Sequence, residues 1–142
     1  MRPTLYNLVK TTTKITGLVV HPNPLPALAH TYQATLKVLS HLPPSFAYRQ
    51  GTEALTNSRL NVVNQAINQY KVEEGKTMKT DGSGDRAVES VEKALALGEI
   101  EEVLEIAKSE EQLAAKMLEW KAWEPLRTPT PPGQWTGFKQ DD

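Results

Sequence analysis

Apolar side chains recur every three or four residues in four separated stretches of the chain, and each period predicts a helix. The first stripe holds Leu28, Ala29, Tyr32, Leu36, Leu39 and Leu42. The "HPNPLP" segment before it, with prolines at 22, 24 and 26, predicts a rigid extended lead in which Pro26 suits a first helical turn. Pro43 and Pro44 end the stripe. Ser45 is then the expected N-cap of a second helix, with Phe46, Leu55, Leu60, Val63 and Ile67 available for burial. Gly51 and "TNS" at 56–58 are expected to kink or divide it, because Asn and Ser bond back to local backbone.

From Tyr70 to Gly84 the period fails, and "YKVEEGKTMKTDGSG" predicts a mobile loop. Asp85 is the expected cap of a third helix with Val88, Val91 and Leu95 on one face and Gly98 as its C′ residue. The fourth starts at Glu99 and buries Ile100, Val103, Leu104, Ala107, Ala114, Met117 and Leu118. Glu99, Glu101 and Glu102 fall in its first turn, where carboxylates favour the helix dipole. Pro125 predicts its end by Trp123 or Glu124. In front, "TKITGLVV" at 13–20 predicts one short strand or an extended arm packed on helices. The expected fold is mainly α: a small antiparallel bundle of three to four helices over residues 25–124, with a flexible loop near 70–84. A basic arm (1–24) precedes the bundle and an extended tail (125–142) follows it.

Charge changes this picture more than length does. The chain has 142 residues, enough for one domain, and a net charge of only −1. Yet no Asp or Glu precedes Glu53, and residues 1–52 carry Arg2, Lys10, Lys14, Lys37 and Arg49 for a net of +5. Residues 53–142 hold 11 basic and 17 acidic groups, a net of −6. Such an asymmetry implies a targeting role for the front or docking of two unlike surfaces. A basic, hydroxyl-rich, acid-free front has the composition of a mitochondrial import segment, and Lys10 and Lys14 interrupt the place of a secretory apolar core. No run approaches 18 apolar residues, so no bilayer-spanning segment is expected.

The candidate chemistry is sparse. Cysteine is absent, which removes thiolate catalysis and iron–sulfur ligation. "DGSGD" at 81–85 resembles part of a calcium loop, but Lys79 and Ser90 then hold the first and twelfth positions, where carboxylates are needed. "GSGDRA" at 82–87 fits a dinucleotide turn without the buried strand that must precede it. His30 and His41 share a helical face but lack a third ligand, so no metal site is expected. The glutamates from 99 to 111 are expected to form a solvated helix face. Basic residues are not interleaved with aromatics, so no nucleic-acid partner is expected.

One stretch resists so bland a reading. "KMLEWKAWEPLRTPTPPGQW" holds all three tryptophans and four of the ten prolines. Trp120 and Trp123 can close the end of a bundle, whereas Trp135 lies beyond Pro131 and Pro132. Burying one Trp is worth roughly 5 kcal/mol. Ordering the tail back to Pro125 costs about 1 kcal/mol or more per residue. A partner surface that accepts the whole segment meets that cost better than one side chain docked on its own domain.

"AYRQGTEALTNSRL" (47–60), "LGEIEEVLEIA" (97–107), "KMLEWKAWEPL" (116–126) and "PPGQW" (131–135) resemble, in order, the alpha-subcomplex subunit 5 family of mitochondrial NADH:ubiquinone oxidoreductase, respiratory complex I. "KTTTKITGLVVHPNP" (10–24) is similar to the family's N-terminal arm, and residues from about 67 to 85 exceed the short animal form. The resemblance implies a mostly helical, non-catalytic accessory subunit without cofactor. It implies a peripheral position on the matrix side of the inner membrane, next to the 30-kilodalton core subunit of the quinone-binding module. It also implies partner contacts at Tyr48 and Arg49, then at Trp120, Trp123, Pro125 and Trp135. The alternative is a free-standing helical adaptor that binds a peptide or acyl chain.

Overall fold

The computed structural model describes Lys10, residues 12–70, Val72 and residues 83–134. Four helices are present: α1 (Pro24–Leu39), α2 (Ala47–Tyr70), α3 (Ser83–Leu95) and α4 (Ile100–Trp120). There is no strand among the described residues. At 13–20 the strand alternative gives way to a turn. Lys14 and Gly17 both take positive φ (58° and 84°), and the Thr13 hydroxyl donates to the Leu18 carbonyl at 2.7 Å.

α1 places prolines in its first turn, where missing N–H groups cost nothing, and turns Leu25, Leu28, Ala29, Tyr32 and Leu39 inward at helical spacing. It stops at Leu39, three residues before the end of its apolar stripe. Leu42 is buried all the same, from a tight turn whose N–H groups reach back to Leu36, Val38 and Leu39. α2 begins at Ala47, beyond Ser45, and no N-cap role falls to that serine. It then runs 24 residues unbroken through Gly51 and "TNS". A mid-helix Gly costs about 1 kcal/mol, which burial of Thr52, Thr56, Val63 and Ala66 outweighs.

α3 starts at Ser83, so Asp85 lies in the first turn rather than at the cap. The left-handed residue at its end is Ala96, with φ 52°, and not Gly98, whose own φ of 99° turns the chain into α4. α4 keeps its expected inner stripe of Ile100, Val103, Leu104, Ala107 and Ala114. It ends at Trp120 because Lys121 takes a left-handed φ of 50°. The Lys121 and Ala122 N–H groups then bond back to Leu118 and Met117.

Two apolar clusters fix the packing. Leu25, Leu28, Ala29 and Tyr32 of α1 meet Ile100, Val103, Leu104 and Ala107 of α4 in a core that also takes Val63, Ala66, Ala87 and Val91. Leu39 and Leu42 meet Ala114, Leu118, Phe46, Tyr48 and Trp123 in the second. α1 and α4 therefore lie side by side in the same direction, with α2 antiparallel to both. α4 packs chiefly on α1 and touches α3 only lightly, while α3 rests mainly on α2.

Candidate partner-docking site

The second cluster is an aromatic end to the bundle. The chain turns sharply between α1 and α2, and the turn sets Phe46 between two neighbours. Its ring centroid lies 5.8 Å from Tyr48 and 6.3 Å from Trp123, the latter edge-on at 66°. Such tilted pairs suit the ring quadrupoles. The Tyr48 hydroxyl donates to Glu110 Oε1 at 2.6 Å and so ties α2 to α4. Burial pushes the Tyr48 phenol up, and the bond to Glu110 pushes it further in the same direction. Arg49 donates through Nε to Glu53 at 3.2 Å and through Nη1 to the Leu42 and Ser40 carbonyls, closing the end of α1.

Of the six expected contact residues, then, Tyr48 and Trp123 are joined through Phe46, and Arg49 closes a helix end nearby. Trp120 is 63% exposed on the last turn of α4, and Pro125 is exposed beside Leu126 at 73%. Trp135 lies outside the described residues. So does most of the predicted loop at 70–84. Residues 124–134 are exposed throughout, so this part of the tail finds no cover on its own bundle.

A second constellation was not foreseen. Glu101 is only 3% exposed, although the glutamate run predicted a solvated face. The N-terminal arm covers it: Lys10 Nζ donates to Glu101 Oε2 and to Glu99 Oε2, both at 2.6 Å, and lies 3.7 Å from Glu92 Oε1. The His21 N–H donates to the other Glu101 oxygen at 3.3 Å. Glu92 in turn accepts the Ile100 N–H at 2.8 Å, and Glu102 accepts the Glu99 N–H at 3.0 Å, so orphan donors at the start of α4 are satisfied. Burial acts against the Lys10 ammonium, but its bonds to Glu101 and Glu99 and the charges of Glu101 and Glu92 outweigh this and raise its pKa. Three carboxylates gathered in this way also suit a metal ion. Here the ammonium supplies the cation. The opposite signs of the two chain halves were the signal in the sequence, and one basic residue of the front, Lys10, meets carboxylates of the second half within the chain.

This arrangement is a set of holding contacts. Lys10 and Tyr48 are both shifted toward keeping their protons, which weakens them as nucleophiles and bases. Burial does the same to Tyr32, against the opposing pull of Arg59. A groove of about 490 Å³ runs between the arm at 17–22 and α4, but Glu101, Glu105 and Lys108 line it beside Leu18, Val20 and Leu104. Charged walls of this kind do not suit an acyl chain.

The geometry so far defines a helical protein built for holding contacts. Comparison with known families specifies which. Residues 17–102 match the model described as the ETC complex I subunit conserved region. The chain is 38% identical over 128 residues to NADH dehydrogenase (ubiquinone) 1 alpha subcomplex subunit 5 of Mus musculus, covering 90% of this chain and 94% of that one. It is 37% identical over 128 residues to the Bos taurus protein of the same name, with the same coverage. It is also 37% identical over 127 residues to a probable subunit 5 of Caenorhabditis elegans, covering 89% of this chain and 72% of that one. The chain belongs to this family of complex I subunits.

Proposed function

We propose that this chain, an accessory and non-catalytic subunit of respiratory complex I in mitochondria, stabilises the peripheral arm of the complex on the matrix side of the inner membrane. Its neighbour there is the 30-kilodalton core subunit of the quinone-binding module. The match to complex I subunits over 90% of the chain carries the reading. Among the described residues no helix is long and apolar enough to cross a membrane, which agrees with a peripheral position. The anchor is Trp120, Trp123 and Pro125 with the tail through Trp135. Tyr48 and Arg49 brace the bundle end from which the tail departs.

Trp120→Ala tests both the anchor and the place. The indole is mostly exposed, so the melting temperature of the purified chain should change little. Association should weaken by about 2 kcal/mol or more, as truncation of a buried interface aromatic does. In native fractionation of complex I split into its arms, the wild-type chain should travel with the 30-kilodalton subunit, and the variant should be depleted from that fraction. A large loss of melting temperature with normal incorporation would put the indole to work inside its own domain. Wild-type chain found with the membrane arm would overturn the placement.

A further inference from the structure

α4 carries a second apolar stripe apart from the one that faces α1. Ile106, Leu113 and Trp120 are 43%, 38% and 63% exposed and follow one another at intervals of seven. Seven residues advance an α-helix by two turns less about 20°, so the three side chains form one gently slanting seam about 21 Å long. Met117, half-buried, falls between the last two. The inner stripe of Val103, Ala107 and Ala114 lies roughly 100° around the helix, so the core does not account for the seam.

We propose that this flank of α4 is a docking seam for an amphipathic helix of another complex I subunit, one with apolar residues at three- and four-residue spacing and lysines or arginines beside them. The proposal rests on the chain being a complex I subunit; it shares Trp120 with the anchor, whereas Ile106 and Leu113 belong to the seam alone. Spacing argues for a helix. A slant of 20° per heptad is what a partner crossing at about +20° follows, whereas an extended segment has a period of two. Tyr48 of α2 reaches Glu110 beside the seam at 2.6 Å. Charge sets the partner's polarity: Glu102, Glu105 and Glu110 flank the N-terminal half of the seam, with Glu105 also paired to Lys108, and Lys116 flanks the C-terminal half, so the partner's basic residues belong opposite the N-terminal half. A parallel second copy would set these carboxylates against themselves. The described part of the tail, through residue 134, does not fill the place, because Lys121 turns it off the helix and Leu126 stays exposed.

The test replaces Leu113 with photoreactive benzoylphenylalanine in the full chain, irradiates assembled complex I in mitochondria, and maps the attached peptide by mass spectrometry. A peptide from another subunit, with helical apolar spacing and basic flanks, is the expected result. Attachment to a second copy of this chain, attachment to an acidic or aperiodic segment, or no adduct would each overturn the proposal. In parallel, Leu113→Lys should lower incorporation roughly tenfold or more while Leu113→Met preserves it. The melting temperature of the purified Lys variant should stay near wild type; if it falls, the cross-linked peptide decides. Normal incorporation of Leu113→Lys would remove the seam and leave the Trp120 result standing.

Discussion

At the scale of single residues, Glu101 has the most consequential surroundings. It is a buried carboxylate whose partner comes from a distant part of the chain, 91 residues away. Removing one member of a buried pair leaves an uncompensated charge, at about 3–5 kcal/mol for full burial. Lys10 keeps a quarter of its side chain exposed, so Lys10→Met is expected to destabilise by less, about 2–3 kcal/mol. The double variant Lys10→Met with Glu101→Met should recover only part of that loss, because it removes the buried orphan charge but leaves Glu99 and Glu92 without the ammonium and the His21 N–H without its acceptor. Urea unfolding of the four chains of this cycle measures it, and a single-variant loss under about 0.5 kcal/mol would mark the pair as an ordinary surface bridge. Glu101 was missed in the sequence for a plain reason. Helical periodicity reports which side of a helix faces other helices. A non-helical arm covers Glu101, and an arm leaves no period.

At the scale of elements, the link between α3 and α4 shows how a helix end can be read correctly in kind and wrongly in place. A glycine was expected at the left-handed position after α3, and Ala96 holds it. An L-residue there costs roughly 1–2 kcal/mol, so Ala96→Gly should stabilise the chain by about 1 kcal/mol in thermal melting. Gly98 has a different duty. Its φ of 99° excludes most side chains, and an added Cβ would collide with the Glu102 carboxylate that accepts the Glu99 N–H. Gly98→Ala should therefore destabilise by about 1–3 kcal/mol. If the two substitutions moved stability in the same direction, this division of roles would be wrong. α2 differs from expectation for a related reason. Gly51, Asn57 and Ser58 are exposed on its polar side while Thr56 is buried, and local propensity yields to packing along the inner face. Leu55, expected inside, stands half exposed because α3 rests elsewhere on α2, and spacing alone does not say how far a neighbouring helix reaches.

At the scale of the whole molecule, the tie between arm and bundle and the tie between α2 and α4 share one dependence on pH. Lys10 and Tyr48 both have folded-state values raised above their ordinary 10.5 and 10.0. The folded chain therefore holds these protons more tightly than the unfolded chain. The stabilisation is complete below the ordinary values and is lost as pH rises through the raised ones. The melting temperature should be insensitive to these two groups near neutral pH and should fall steeply above about pH 10. Tyr48→Phe and Lys10→Met together should flatten that fall. Parallel alkaline curves for wild type and double variant would show that other groups set it.

What the sequence alone determined is the set of parts. Period and breaker residues set four helices and the inner stripes of α1 and α4. The run of quoted motifs from 10 to 135 indicated the family that the comparisons then established. These properties are local, or spread as a pattern along the chain, and so survive being read in one dimension. Tertiary structure decided which parts meet. It put α4 beside α1 in the same direction, drew Lys10 over Glu101, used Arg49 to close α1, and left Ile106, Leu113 and Trp120 uncovered on the outer flank of α4. Each of these depends on distances between residues tens of positions apart. Hydrophobic burial is non-directional: it tells a side chain to leave water without saying which neighbour will cover it, and only the folded arrangement supplies that neighbour.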